Sequence, residues 1–419
     1  MSKEVVSRMR VRILPANLIV GVSVMVYVGI DIGKNHHEVG AVNAEGKKLG
    51  KTLRFANTAE GFQKAKEFIH SKQEGEVFPR ICMEATGAYW LALYSYLFAQ
   101  GFSISVINPI QSDSLRNTRL RPAKTDVIDA YLIADVLRFG QYEETHLADE
   151  DLIALRNLAR FRMAIVDTCS DFKRRVITLL DQVFPEYEKI FSNVFGQTSK
   201  AFLKTCGTPE QCIDIPTKTL STLLKKASRG RFSSAKAQQL KEAARTSCGV
   251  KLANDAFAFQ LHLLIEQIEF TEGQVEQIEA QIASQLEKVN SVVMTIPGVG
   301  PSLGAIIVGE IGDINRFATP GKLVAFAGID PSVMQSGNFS GTHNRLSKRG
   351  SPYLRRAIWQ AAVVASRTDP VFEAFYEKKR AEGKSHGTAI GAVARKLTYT
   401  IFAVLKAKKP YEIRQQSPR

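Results

Sequence analysis

Asp126 and Asp129 stand three residues apart at the head of an amphipathic stretch that follows the basic segment Arg119-Leu-Arg-Pro-Ala-Lys124. In a helix, side chains at i and i+3 share a face, so both carboxylates can address one point. Two earlier acids, Asp31 and Glu84, each sit at the end of an apolar, strand-like run. Four carboxylates brought together repel one another unless divalent cations lie between them, and an oxygen-only cage suits Mg²⁺ or Mn²⁺. Such a donor set belongs to two-metal phosphoryl transfer. A plainer alternative makes them a strand-end Asp, an exposed Glu and two helix-N-terminal Asp residues favoured by the dipole. Their joint placement at the ends of apolar elements favours the cluster. Asp135, nearly two turns beyond Asp129, reads as solvent-facing or as a supporting group.

The elements that must carry these acids follow from pattern. Val26–Ile32 is β-rich, and His37–Asn43 and Lys51–Phe55 flank the turn Ala44-Glu-Gly-Lys47, which predicts a three-stranded meander. Asn57 followed by Glu60 predicts the capped start of a helix reaching about Ser71. Then come a short buried strand at Arg80–Glu84, a helix around Trp90–Gln100, a strand at Phe102–Ile107, and a helix from Asp126 to Phe139 capped by Thr125 and stopped by Gly140. Three antiparallel strands followed by alternating helices and strands is the order of an α/β ribonuclease-H-like fold.

Residues from about 148 to 290 are helical by pattern. From Leu261 onward, Leu264, Ile268, Val275, Ile278, Ile282 and Val289 follow a heptad spacing broken by Thr271 and Gln285. The spacing predicts a coiled-coil arm that dimerises or spaces; the alternative is an intramolecular hairpin with the helix at about 150–183. At Ile296-Pro-Gly-Val-Gly300 the composition changes, and the apolar run Leu303–Ile311 completes the form of a helix-hairpin-helix element whose glycine turn can approach a phosphate. A Gly-, Ser- and Arg-rich region follows at 335–350, then three helices carrying many basic residues. This divides the chain into an extension at 1–25, an acid-bearing α/β domain at 26–147, a helical region at 148–290, a mainly α C-terminal domain at 291–410 and a tail at 411–419.

The chain has 419 residues, 45% hydrophobic, so it can bury more than one core. Fifty-six Lys and Arg against 41 acids give a net +15, which favours a polyanionic partner. From Ser340 to Arg419, 17 basic and 5 acidic residues give +12, so most of the surplus sits in the C-terminal fifth. Arg345, Lys348, Arg349, Arg355 and Arg356 there, and Arg119, Arg121 and Lys124 before the paired aspartates, are the candidates for nucleic-acid contacts. Five scattered cysteines without CxxC spacing fit a reducing cytoplasm, and Cys206 with Cys212 has no second pair to complete a zinc site. The apolar run Leu18–Met25 continues into the first strand without a cleavage signal, so it reads as an extension before a core strand, with Met25 a possible natural start and no membrane span expected.

Gly29-Ile-Asp-Ile-Gly33 also fits the first phosphate loop of actin-like and sugar-kinase ATPases, but the second Asp-x-Gly loop and the adenosine segment such a site needs are missing downstream. A different resemblance covers far more. Tyr27-Val-Gly-Ile-Asp-Ile-Gly-Lys34, Met83-Glu-Ala-Thr-Gly87, Asn108-Pro, Lys124-Thr-Asp-Val-Ile-Asp129, Ile296-Pro-Gly-Val-Gly300, Ala327-Gly-Ile-Asp-Pro331, Gln335-Ser-Gly337 and Ser347-Lys-Arg-Gly-Ser-Pro-Tyr-Leu-Arg355 resemble, in order, the DEDD transposases of insertion-sequence-110 elements and the related pilin-gene invertases. The likeness runs from Tyr27 to about Lys409.

The resemblance implies a RuvC-like N-terminal domain joined by a coiled coil to a C-terminal transposase domain. It maps the four acids onto Asp31, Glu84, Asp126 and Asp129 as metal ligands, and a covalent serine nucleophile onto Ser336, with Ser340 and Ser347 as neighbouring competitors. It further implies donor and target double-stranded DNA, a structured guide RNA encoded by the element, and a homodimer or tetramer. Two other functions fit the residues: a RuvC-like Holliday-junction nuclease using water and the acids alone, and a non-enzymatic nucleic-acid-binding scaffold. Against that resemblance, the segment at about Phe191–Leu252 is enlarged relative to the compact form of the family.

Overall fold

The structure, a computed structural model, describes residues 25–73, 78–107, 109, 112, 113, 115, 125–140, 149–331, 335, 336, 339, 340 and 346–413. The chain divides into two compact units, Met1–His146 and Leu147–Arg419.

The first unit is built on one five-stranded mixed sheet. β1 (Tyr27–Ile32), β2 (His36–Val42) and β3 (Leu53–Ala56) form the expected antiparallel meander; β4 (Arg80–Glu84) and β5 (Ile104–Ile107) extend it in parallel, in the order β3-β2-β1-β4-β5. Residues of alternate parity on β1 face opposite sides. Val28 and Ile30 are fully buried on one of them. His37, the partner of Ile32, lies there too and stacks on Phe62 of α1 (Ala59–Ser71). Gly29 faces the other side, where α3 (Asp126–Phe139) crosses the sheet after α2 (Trp90–Ala99). The α3 ends match expectation: Thr125 Oγ1 accepts from the Ile128 amide, and Gly140 closes the helix at φ 69°. The α1 cap is Thr58, one residue later than expected, because the Asn57 amide donates instead to Lys34 O.

The second unit is helical around two long antiparallel helices, α4 (Glu150–Val183) and α9 (Asn254–Val289). Their antiparallel course shows in the cross-links Asp151 to Gln285, Arg162 to Glu279 and Lys173 to Glu272. Of the stripe expected for a coiled-coil arm, Ile268, Ile278 and Ile282 are buried together with Leu261, Ile265 and Leu286 in a hairpin within the chain, the alternative reading, while Leu264, Val275 and Val289 are half-buried. Leu155, Ala159, Met163, Val176 and Leu180 of α4 are buried too. The two interruptions are satisfied polar groups, since Thr271 Oγ1 donates to Gln267 O and the Gln285 amide donates to Asp151 O and Oδ1.

The hairpin has a separate core at each end. At one, α5 (Gln197–Thr205), α6 (Pro209–Asp214), α7 (Thr217–Ala227) and α8 (Ser234–Arg245) pack around Phe184, Tyr187 and Phe202. At the other, α10 (Pro301–Ile311), α11 (Pro320–Ala327), α12 (Pro352–Thr368), α13 (Pro370–Ala381) and α14 (His386–Ala407) enclose the second core. Among the described residues, α14 is the one helix long and apolar enough to cross a membrane, contrary to the expectation that none would be. Its apolar stripe, including Ile390, Val393, Leu397 and Ile401, is buried in that core.

Candidate active site

Asp31 and Glu84 emerge side by side because β1 and β4 are parallel neighbours in the register Ile30 to Met83, which makes Asp31 and Glu84 the next pair. Asp126 and Asp129 occupy the first turn of α3. What brings that turn to Asp31 is Gly29, two residues earlier on the same face. A Cβ at Gly29 would lie 2.0 Å from Ala130 O and 2.4 Å from the Ala134 nitrogen, so the helix rests on bare backbone. Gly40, its cross-strand partner, leaves room for the Tyr131 ring in the same way. The paired glycines form a trough for α3 across the sheet. Gly29 is thereby a packing residue in mid-strand, not part of a phosphate loop.

Electrostatics report the convergence. The Asp31 carboxyl is pushed up to about 7, first by burial and then by the charges of Asp129, Glu84 and Asp126. Each of the other three acids named from sequence therefore acts on Asp31. Even so, among the described residues no group of three or more His, Cys, Asp or Glu side chains is gathered closely enough to hold an ion as it stands. Mutual repulsion opposes the final approach of bare carboxylates. The donor set is all oxygen, which fits Mg²⁺ or Mn²⁺ and not a thiophilic metal.

Glu84 is held by two hydroxyls that sequence reasoning did not single out. Thr86 Oγ1 donates to Oε1 at 3.0 Å, and the buried Ser112 hydroxyl lies 2.7 Å from Oε2. Thr86 belongs to the Met83–Gly87 motif, so a signal for it existed; Ser112 gave none. Asp135 pairs with Arg138 at 3.0 Å and so serves the helix.

The residues named in the second unit are distributed unevenly. Ser336 lies on the two-residue strand Gln335–Ser336, which pairs antiparallel with Phe339–Ser340. Ser347 is tied into a turn: its hydroxyl donates to the Asp330 carboxylate, and its amide to Asp330 O at 2.9 Å. The adjoining backbone is locked as well, with the Ser351 amide on Phe326 O at 2.7 Å and no room for a Cβ at Gly350. This turn leaves Lys348 and Arg349 exposed. Arg355 reaches Ala327 O, and Arg356 forms a two-pronged pair with Asp167 at 2.7 Å on each side. Both are occupied in holding the fold, unlike their exposed neighbours. Arg119, Arg121, Lys124 and Arg345 lie outside the described residues.

In the glycine turn at 296–300 one glycine packs against a helix. Gly298 has φ 84°, and a Cβ there would meet Ala361 O at 2.4 Å, so its close backbone approach is to α12. The open side of this turn is at Gly300, where a Cβ would touch nothing.

Comparison with known proteins gives a consistent picture. Residues 28–185 match a family model described as a transposase, and residues 290–377 match one described as the IS116/IS110/IS902 family of transposases. A 44.8 kDa protein of insertion element IS116 from Streptomyces clavuligerus is 27% identical over 393 residues, covering 92% of this chain and 95% of its own. The mini-circle putative transposase for IS117 of Streptomyces coelicolor is 25% identical over 380 residues, 88% of this chain and 90% of its own. The pilin gene-inverting protein of Moraxella lacunata is 23% identical over 389 residues, 93% and 98% respectively.

Proposed function

The chain belongs to the transposase family of IS110-type insertion elements, DNA-processing enzymes that include a pilin-gene inverter, and from that premise we propose that it cuts and rejoins DNA strands through a covalent phosphoserine. The observation that carries the proposal is the seating of α3 on Gly29, which brings its first turn, with Asp126 and Asp129, to the face of β1 that bears Asp31, beside Glu84 at the end of the parallel β4.

Asp31, Glu84, Asp126 and Asp129 would hold Mg²⁺ or Mn²⁺, which when bound neutralises the charge building on the scissile phosphate. The strand order and the acids at the carboxyl ends of β1 and β4 support a ribonuclease-H-like, RuvC-like reading of the first unit. Ser336 is the proposed nucleophile. Its hydroxyl forms a bond to phosphorus as the bond from phosphorus to one deoxyribose oxygen breaks, and that oxygen leaves as a hydroxyl carrying the serine proton. A hydroxyl from the exchanged strand reverses the step, restoring the serine with the number of phosphodiesters unchanged. Lys348 and Arg349, exposed beside a locked turn, suit phosphate contacts. Donor and target duplexes, a structured guide RNA and a homodimer or tetramer complete the proposed assembly.

The test separates this reading from its rivals. Ser336→Ala should abolish both the protein–DNA adduct and recombination while leaving DNA binding intact, and Asp126→Ala should do the same with weakened Mg²⁺ binding by calorimetry. Full cleavage by Ser336→Ala would favour a water-using junction nuclease. Full recombination by both variants would leave a scaffold.

A further inference from the structure

We propose that the outer face of α7, with the turn that follows it, is a docking surface for the sugar-phosphate backbone of duplex DNA. The proposal rests on the DNA-processing role of the chain and on nothing in its chemistry of cleavage.

Charge first sets this region apart. Residues 191–252 hold eleven Lys and Arg against three acids, a net of +8, and from Asp214 to Glu242 no acidic residue intervenes. Together with the +12 of residues 340–419, this exceeds the +15 of the whole chain, so everything outside the two stretches is net acidic. The two stretches carry the chain's surplus of positive charge.

The cations then divide by task. Lys200 and Lys204 pair with Glu272 and Glu269 on α9, and Lys236 and Lys241 cap the carbonyls of Ile190 and Ile213. Those four serve the fold. Lys218, Lys225, Lys226, Arg229 and Arg231 are exposed, and none forms an ion pair among the described residues. Five adjacent uncompensated cations repel one another, and a polyanion relieves that repulsion.

Geometry makes the patch a phosphate surface in particular. Lys218, Ser221, Thr222 and Lys225 follow the i, i+3/i+4, i+7 spacing of one helical face, while Leu220 and Leu224 bury the opposite face. With Thr217, and Ser234 from the start of α8, they line a shallow pocket of hydroxyls and ammonium groups. Short hydroxyls and lysines are the usual donors to phosphate oxygens. The turn beyond holds Arg229 at φ 53° and Gly230 at φ 88°, fixed by the Gly230 amide on Lys225 O and the Phe232 amide on Ser228 Oγ. A left-handed arginine is a conformation that side chains disfavour. Here it sets Arg229 and Arg231 beyond the end of the lysine row. The half-buried ring of Phe232 beside the patch packs on Phe191 and under Lys236, so the surface offers no open platform for unpaired bases. That commits it to the duplex backbone.

The experiment measures binding of the full chain to a short random-sequence DNA duplex across a salt series. Lys218→Ala/Lys225→Ala/Arg229→Ala should flatten the slope of log K against log salt by roughly 2 to 3 and weaken low-salt binding roughly 10- to 100-fold. The charge-matched control Lys47→Ala/Lys51→Ala/Lys64→Ala, in the first unit, should change either quantity much less. An unchanged slope overturns the proposal, as does an equal effect in the control. Loss confined to a parallel series with duplex RNA overturns the assignment to DNA. Because the readout is binding without cleavage, failure here leaves the Ser336 mechanism standing, and failure of Ser336 leaves this surface standing.

Discussion

Gly29→Ala tests whether the trough under α3 sets the site. The new methyl carbon would start 2.0 Å from Ala130 O and 2.4 Å from the Ala134 nitrogen, both backbone atoms of a helix that cannot move one atom alone. Ordinary carbon–oxygen contact begins at about 3.3 Å, so the helix must lift by roughly 1 Å. Overpacking of this kind costs about 1–3 kcal/mol. A misplacement of about 1 Å in a catalytic group costs on the order of 100-fold in rate. Lifting α3 carries Asp126 and Asp129 away from Asp31, which removes two of the charges that raise its carboxyl, so that carboxyl should move down from about 7. The assay pairs urea denaturation with recombination between donor and target plasmids. Val28→Ala is the comparison, because it removes buried methyls from the opposite face of β1 and should destabilise without lifting α3. Near-normal recombination by Gly29→Ala, or an equal loss by Val28→Ala, would refute the reasoning.

Two further outcomes follow. The Asp31 carboxyl, about 7 in the fold against 3.8 ordinarily, binds its proton more tightly when folded, so without divalent cations it favours the first unit below about pH 4 and that contribution is lost as pH rises toward 7. Partial exposure screens the effect to a few kcal/mol at most. Melting temperatures from pH 4 to 8 in a chelator should fall more steeply for the parent than for Asp31→Asn; identical profiles would contradict the coupling. In the second unit, Glu310 is buried and accepts from Arg160 Nε at 2.5 Å, Arg160 Nη2 at 2.9 Å and Ser351 Oγ at 2.8 Å, whereas Arg160 is 41% exposed. Arg160→Ala breaks a buried ion pair and should cost about 3–5 kcal/mol, and Glu310→Ala should cost at least as much, because it leaves both Arg160 and the more buried Arg156, whose charge Glu310 also favours, to repel one another. Chemical denaturation that ranks them the other way would exclude this account.

The acids were legible because their signals are local. A strand end, a Thr cap and an i, i+3 pair are each written in fewer than ten adjacent residues, and folding has only to place those elements side by side. Gly29 was visible as a glycine in Gly29-Ile-Asp-Ile-Gly33, but its purpose depends on a helix a hundred residues later in the chain. The same holds for Gly298, whose partner is α12, and for Ser112, which no motif marks and which finds Glu84 only in the fold. A glycine in a motif announces a close approach without saying what approaches.

The stripe on α9 shows the converse limit. Heptad spacing states that a helix needs an apolar partner along its length, and says nothing of whether that partner belongs to the same chain. Here α4 carries its own stripe, and the four helices of residues 197–245 join the two arms around a core of their own. An intramolecular partner enjoys a high effective concentration and wins over a second copy with the same stripe. Three of the residues that the heptad pattern offered, Ile268, Ile278 and Ile282, are thus buried within a single chain, while Leu264, Val275 and Val289 are half-buried. Opening the hairpin would expose Leu261, Ile265, Ile268, Ile278 and Ile282 to water at about 1.5–3 kcal/mol each. A dimer that exchanged these residues between chains would have to recover this cost before it gained anything.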